Sequence, residues 1–211
     1  MARTEEARRD PRRGRTRRAL LDAALELVEK KDNFTALSLR LVARKAGVVP
    51  TAFYRHFPDM EALGLTLVDE SFRTLRQLMR EVRAANTPPK QVIRQSMETY
   101  VAYVRTNGRH FQFVAKERFS GSPAIRTAIR QEIRLFTSEL ATDLSRFPML
   151  GQVSAEDLQM LAGLVVNNMT TLTEQILELP EDDPDEEQFL VRLAEKQLRL
   201  IVMGALAWRS R

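Results

Sequence analysis

Cysteine is missing altogether from this chain of 211 residues, and histidine occurs only as His56 and His110. Without cysteine the chain forms no disulfide, no thiolate metal site and no cysteine nucleophile, which fits a reducing compartment. Two histidines are too few for a histidine-rich metal site. We therefore expect neither a metal nor redox chemistry based on thiols.

Long apolar runs and the common catalytic motifs are missing as well. No apolar run approaches the roughly 18 residues of a membrane span, and the basic N-terminal region lacks the apolar stretch of a signal peptide. There is no GxSxG elbow, HExxH pair, P-loop or glycine-rich dinucleotide fingerprint. We expect a cytoplasmic protein with no membrane partner, no catalytic residues, no cofactor and no enzyme activity.

Positive charge is concentrated at one end of the chain. Residues 1–58 carry 14 Lys and Arg against seven Asp and Glu, whereas the other 153 residues carry 19 against 21. A basic N-terminal part on a mildly acidic remainder is typical of a protein that presents one end to a polyanion. The charge pattern favours nucleic acid as a partner.

Apolar residues recur at helical spacing along most of the chain, and no segment alternates with the period of a strand. We predict an all-α protein of about nine helices. Two of them are short, one capped by Ser38 and one beginning at Pro50. The other predicted helices span about 15–31, 59–86, 89–106, 108–118, 123–146, 154–178 and 185–208.

The two short helices flank a tight turn. The spacing of Leu39, Val42, Ala43 and Ala46 predicts a helix that ends at Gly47, because glycine readily adopts positive φ. Two short helices joined by such a turn form a helix-turn-helix, whose second helix can enter a DNA major groove.

The segments Leu41-Val42-Ala43, Ala46-Gly47-Val48 and Phe53-Tyr54-Arg55-His56-Phe57 together resemble the TetR family of bacterial repressors. Residues 1–13 show no apolar periodicity, which predicts a flexible basic arm. The resemblance implies a helix-turn-helix DNA-binding domain (14–58) and a ligand-binding and dimerisation domain (59–211). The acidic run Asp59-Met60-Glu61 departs from the family, where many members place a lysine against the DNA backbone. Anchoring charge should then come from Arg12 to Arg18 and from the second helix.

Candidate DNA contacts follow from the predicted recognition helix and from the family motif. Threonine can contact a thymine methyl or a phosphate, and tyrosine and histidine can bind phosphate oxygens. Phe53 and Phe57 are expected to pack inside, and the basic candidates could instead be merely solvated charges. The candidate DNA-binding residues are Arg13, Thr16, Arg17, Ser38, Arg40, Lys45, Pro50, Thr51, Tyr54, Arg55 and His56.

Segments 50–57, 63–71, 75–80 and 117–121 look like the TetR branch of FabR and DesT type, which represses unsaturated fatty acid synthesis or desaturation. That resemblance implies a fatty acyl-CoA as effector, with its tail in an apolar tunnel and its phosphates on arginines. Each apolar candidate taken alone is more often ordinary core. The candidate ligand-binding residues are Phe72, Leu75, Arg76, Met79, Phe111, Phe113, Arg118, Phe136, Met160, Leu164, Asn167 and Asn168.

A homodimer on a palindromic double-stranded operator is also expected. The family pairs its last two helices between subunits, and two heads must lie about 34–36 Å apart to read adjacent major grooves. The alternative to a dimer interface is that the apolar faces of these helices only complete the protomer's core. Asn167 and Asn168 interrupt one of them and mark either the pocket or the dimer contact.

Other functions stay open at this point. The chain could be a TetR-type repressor of another hydrophobic ligand, controlling efflux or catabolic genes. An acyl-CoA-binding protein or enzyme without a DNA role, or a helical scaffold at a membrane surface, is less well supported by the residues.

Overall fold

The computed structural model describes residues 11–30, 33–84, 89–180 and 183–208, and within them the side chains of residues 11–13, 83–84 and 89–90 are not described. The described residues confirm the all-α prediction, with nine α-helices and two short 3-10 turns. The helices are α1 (Pro11–Lys30), α2 (Leu39–Lys45), α3 (Pro50–Phe53), α4 (Met60–Ala84), α5 (Pro89–Thr106), α6 (Gly108–Ser120), α7 (Pro123–Leu144), α8 (Ala155–Glu178) and α9 (Pro184–Ala207).

Local sequence signals fix most of the helix ends. The Asp59 carboxylate accepts a hydrogen bond from the Ala62 amide at 2.7 Å and caps α4. The Ser154 hydroxyl caps α8 in the same way, at 3.1 Å from the Asp157 amide. Among the described residues, no helix is both long enough and apolar enough to cross a membrane.

The start of α1 differs from the sequence-based expectation. Residues 11–13 were assigned to a flexible arm, but the helix begins at Pro11. A proline suits the first helical turn, where its missing N–H would lack an intrahelical partner anyway. The remainder of the predicted arm, residues 1–10, lies outside the described residues.

Two compact units are distinguished by their internal packing. The described residues up to Val68 and the segment Gln112–Ala128 form one unit, which we call the head. Asp69–Phe111 and the described residues from Ile129 onward form the other, which we call the body. These units do not coincide with the domain boundary expected at residue 58, because parts of α4, α6 and α7 pack with the head. The functional assignment of domains 14–58 and 59–211 stays a prediction.

The head core combines the first helices with those later segments. Its packing is close at Gly64 on α4, where an added Cβ would lie 2.7 Å from Ile125 Cδ1 and 2.9 Å from Phe34 Cε1. Phe34 also packs edge-on against Phe113, with ring centroids 5.6 Å apart. Buried head residues are Leu20, Leu21, Ala24, Val28, Phe34, Val42, Phe53, Phe57, Leu63, Leu67, Phe113 and Ile125.

The body contains two apolar clusters. The first joins α4, α5, α8 and α9, and within it the Tyr100 hydroxyl is hydrogen-bonded to the Thr173 hydroxyl. Burial raises the pKa of Tyr100 to about 12, so this phenol is neutral at physiological pH. The second cluster joins α7 and α8 with the 3-10 turn Pro148–Leu150.

The close packing at Gly64 generates a stability prediction. Gly64→Val should lower the free energy of unfolding by about 2 kcal/mol, because the added side chain must displace Ile125 or the Phe34 ring. Gly14→Val is the matched control, since a Cβ at Gly14 would contact none of the described residues within 4 Å. Urea unfolding of both variants measures the difference, and equal midpoints would contradict the packing described.

Candidate nucleic-acid interface

The turn between α2 and α3 has the geometry expected of a glycine C-cap. Gly47 adopts φ +70°, the Val48 amide donates to the Ala43 carbonyl at 2.9 Å, and the Gly47 amide donates to the Arg44 carbonyl at 3.1 Å. This pair of bonds is the Schellman pattern, which satisfies carbonyls that the helix end leaves unpaired. The prediction that Gly47 ends α2 is confirmed.

Helix α3 is short and depends on its anchors. It begins at Pro50 and ends at Phe53, which is too short for a helix to be stable alone. Phe53 is fully buried and Phe57 is 3% exposed, with their rings 5.7 Å apart. The packing role predicted for both phenylalanines is confirmed.

Polar side chains cover the outer side of this segment. Pro50, Thr51, Tyr54 and Arg55 are exposed, Tyr54 by 62%, and His56 is half-buried. The structure therefore brings these five sequence-predicted candidates together on one short segment. Their arrangement presents two hydroxyls, an imidazole and a guanidinium to solvent, which are suitable groups for phosphate and base contacts.

The candidates on α2 are also engaged within the head. The Ser38 hydroxyl accepts a hydrogen bond from the Leu41 amide at 3.2 Å and caps the helix. Lys45 forms an ion pair with Glu26 on α1 at 2.5 Å. A hydrogen bond from Lys45, and a weaker contribution from the hydrogen bond of Lys30, hold the pKa of the Glu26 carboxyl group below its ordinary value. Arg40 is exposed.

The candidates on α1 lie close to the end of the recognition segment. The Arg17 guanidinium lies over the Phe57 ring, 5.4 Å from its centroid, and both Thr16 and Arg17 are half-buried. A cation over an aromatic ring is held in a preferred position. Arg17 is thus oriented by the same phenylalanine that anchors the recognition segment, whereas the side chain of Arg13 lies outside the described residues.

Sequence reasoning missed two residues of the head. Val49, at the N-cap of α3, is 64% exposed, and an apolar β-branched residue directly before Pro50 was the available signal. Glu117 on α6 is fully buried, and its Oε1 accepts a hydrogen bond from the Phe34 amide at 2.7 Å. A lone acid in the mostly apolar run Phe111–Phe119 could have marked it.

Some candidate ligand residues do share one environment. Leu75 and Met79 are buried in the first body cluster, and half-buried Phe111 and Phe136 pack against it. Phe72 on α4 is half-buried. The apolar candidates of the body are therefore partly grouped, as a binding site between helices would require.

Other candidates lie away from that cluster. Phe113 is part of the head core, and the head residue Arg118 lies over the Phe119 ring at 4.7 Å. Met160 and Leu164 are about half exposed on the outer face of α8, at 47% and 49%. Met160 and Leu164 do not line the first body cluster, because their side chains are turned to solvent. Phe113 and Arg118 do not line it because they belong to the head.

The polar candidates of the body have protein partners. Arg76 on α4 is paired with Glu132 and approaches Glu139 at 3.9 Å, both on α7. The Asn168 amide donates to Gln197 on α9 at 2.6 Å, while Asn167 is exposed. The guanidinium of Arg76 is therefore already neutralised by carboxylates.

This arrangement defines a class of protein: an all-helical chain with a helix-turn-helix near its N-terminus. Residues 20–65 match the family model described as bacterial regulatory proteins of the tetR family. Residues 89–204 match the model of the tetracyclin repressor-like C-terminal domain, which alone covers more than half of the chain. The chain belongs to the TetR family of transcription regulators, which bind DNA and act as dimers.

Solved structures share the fold at low sequence identity. The fatty acid degradation regulator FadR from Bacillus halodurans is 14% identical with a TM-score of 0.74, covering 90% of this chain and 96% of that one. FadR from Bacillus subtilis, solved with stearoyl-CoA, is 16% identical with a TM-score of 0.68 and coverage of 89% and 98%. GusR from Salmonella enterica is 19% identical with a TM-score of 0.71 and coverage of 92% and 96%.

The buried Glu117 generates a pH prediction. Burial raises the pKa of its carboxyl group, against the opposing effects of the Phe34 amide and Lys116. A raised pKa in the folded state gives stability that is present below the ordinary value of 4.5 and is lost as pH rises through the folded pKa.

Wild type should therefore lose stability relative to Glu117→Gln as pH rises from about 4.5, because glutamine does not titrate. Urea unfolding of both proteins at successive pH values measures this difference. Stability curves that run parallel over the whole range would contradict the assignment.

Proposed function

We propose that this protein is a sequence-specific DNA-binding repressor that acts as a homodimer on a palindromic operator in the cytoplasm. The observation that carries the proposal is the exposed polar surface of residues 50–56 on two buried phenylalanines, Phe53 and Phe57. That surface lies in the N-terminal 58 residues, which carry the excess of positive charge. A basic surface with a rigid reading segment suits the DNA major groove.

The candidate contacts divide into two roles. Thr51, Tyr54 and exposed Val49 lie at the recognition segment and are proposed to meet base edges, thymine methyls or nearby phosphates. Arg17, Arg40 and Arg55 are proposed to contact phosphates, which supply sequence-independent affinity. Thr16, Ser38 and His56 are proposed to assist as shorter polar contacts, and Lys45 to contribute its charge while bound to Glu26.

Tyr54→Ala should weaken specific operator binding by at least about 1 kcal/mol, because an exposed ring and hydroxyl are lost from the recognition segment. Tyr54→Phe separates the two groups, since it keeps the ring and removes only the hydroxyl. Fluorescence anisotropy with a labelled operator duplex measures both, and Gln91→Ala, an exposed change in α5, is the control. An unchanged affinity for Tyr54→Ala would remove Tyr54 from the site.

The proposed dimer uses α8 and α9. Exposed apolar side chains follow one face of α9 at helical spacing: Phe189, Leu193, Leu200 and Met203. Met160 and Leu164 lie on an exposed face of α8, with Asn167 at the same helical spacing. Exposed apolar stripes on neighbouring helices are a surface that a second copy can bury. Of the two roles left open for Asn167, we therefore propose the dimer contact.

The double variant Leu200→Glu and Met203→Glu should be monomeric, because it places two charges on that stripe. Both side chains are largely exposed in the protomer, at 70% and 66%, so the fold should persist. Analytical ultracentrifugation measures the mass, and Met149→Glu, a half-exposed apolar position outside α8 and α9, is the control. A double variant that remains dimeric would overturn this interface.

We further propose that the effector is a fatty acyl-CoA and that the regulated genes concern unsaturated fatty acid synthesis or desaturation. The FabR- and DesT-like segments at 50–57, 63–71, 75–80 and 117–121 support this. The stearoyl-CoA complex of a similar fold from Bacillus subtilis supports the ligand class alone. Leu75, Met79, Phe111 and Phe136 are the proposed apolar lining.

Arg76 is a weak candidate for the effector's phosphates, because binding them would require it to leave Glu132. Arg105 is likewise paired with Glu187. An alternative effector is therefore another hydrophobic molecule without phosphates, acting on efflux or catabolic genes through the same body cluster.

Acyl-CoA should shift the operator affinity, since a ligand acts through its different affinities for the two shapes of the protein. Oleoyl-CoA and palmitoyl-CoA should produce unequal shifts, and free CoA should produce none. Anisotropy of a labelled operator measures all three. If neither acyl-CoA has an effect while the operator is still bound selectively, the acyl-CoA assignment is wrong and the DNA-binding function stands.

A further inference from the structure

A buried carboxyl group connects α6 with the start of the helix-turn-helix inside the head. Glu117 is 0% exposed, and its Oε1 accepts a hydrogen bond from the Phe34 amide at 2.7 Å. Phe34 begins the 3-10 turn Phe34–Ala36 that leads into α2. First-turn amides have no partner within their own helix, so this carboxyl group satisfies a donor that would otherwise be buried and unpaired.

The neighbouring residue makes a second bond to the other side of the same connection. Lys116 Nζ donates to the Val28 carbonyl at 2.8 Å, and Val28 lies in the last turn of α1. Carbonyls of a last helical turn also lack intrahelical donors. Two consecutive residues of α6 therefore bind the last turn of α1 and the 3-10 turn within the α1–α2 connection.

Gly121 keeps the space that this arrangement needs. An added Cβ at residue 121 would lie 2.8 Å from Glu117 Oε2 and 2.6 Å from the Glu117 carbonyl oxygen. The Oε2 atom itself is buried and has no hydrogen-bond partner among the residues that the structure describes. An apolar side chain at 117 would avoid the desolvation of a carboxyl group, so core packing alone does not explain a glutamate here.

We propose that Glu117 and Lys116 are positioning residues for DNA binding: their bonds to Phe34 and Val28 set the entry into the helix-turn-helix. The inference rests on the proposed function. Hydrogen bonds are directional and weaken when the donor or acceptor is displaced or tilted, whereas apolar contacts are non-directional.

The test compares Glu117→Leu, Glu117→Gln and Lys116→Met with the control Ile125→Val. Ile125 is a buried head residue, and its truncation lowers stability by about 1 kcal/mol without touching either bond. Two quantities are measured on the full chain: operator affinity by anisotropy and hydrogen exchange of the Phe34 amide by NMR. The amide measurement needs no DNA.

Glu117→Leu should weaken operator binding by about tenfold and accelerate exchange at Phe34, because the amide loses its acceptor. Glu117→Gln should restore both, since its side-chain carbonyl can accept the same bond. Lys116→Met should also weaken operator binding. Ile125→Val should leave operator affinity unchanged and accelerate Phe34 exchange less than Glu117→Leu does, because it lowers stability without removing the acceptor. If Glu117→Leu does not fold, Lys116→Met decides by the same affinity measurement.

The positioning role would be overturned if Glu117→Leu and Ile125→Val had the same operator affinity and the same exchange rate at the Phe34 amide. That result would leave the proposed function intact. Equal affinities of wild type and Lys116→Met would do the same if the leucine variant is unfolded. A wild-type protein that selects no DNA sequence would instead overturn the proposed function, and with it the link to operator affinity.

Discussion

The burial of Phe53 and Phe57 is the interaction on which the rest of the head depends. Helix α3 spans only Pro50–Phe53, and a single turn has no stability of its own. Both rings are almost fully removed from solvent and lie 5.7 Å apart, so the intervening Tyr54, Arg55 and His56 are held against a fixed support. The hydrophobic effect thus fixes the position of polar side chains on a segment that is too short to be stable alone.

Local signals made most of the fold predictable. Ser38 and Asp59 cap helices with their own side chains, Gly47 adopts the positive φ that ends α2, and Pro50 starts α3. Each of these caps involves residues only three or four positions apart, so the local sequence is enough to predict the helix end. Pro11 is the exception. It begins α1, but the residues that directly follow it are charged and show no apolar periodicity that would predict a helix there.

Contacts between distant segments were not predictable in the same way. Glu117 and Phe34 are 83 residues apart, and no local pattern indicates that one binds the other. The aromatic ring of Phe113 suggests pocket lining, but it packs against Phe34 in the head. The charge of Arg76 suggests a phosphate ligand, but Glu132 neutralises it. In each case the residue type was informative, but its partner was set by tertiary packing.

The central claim is that two copies of the head read one palindromic site on DNA. Selection of duplexes from a random-sequence pool with the purified full chain, followed by hydroxyl-radical footprinting of the selected site, tests it most directly. The account predicts two inverted copies of one half-site, protected on the same side of the duplex with centres about one helical turn apart. Protection that is independent of sequence and disappears uniformly with salt would contradict it, because binding would then be to phosphates alone.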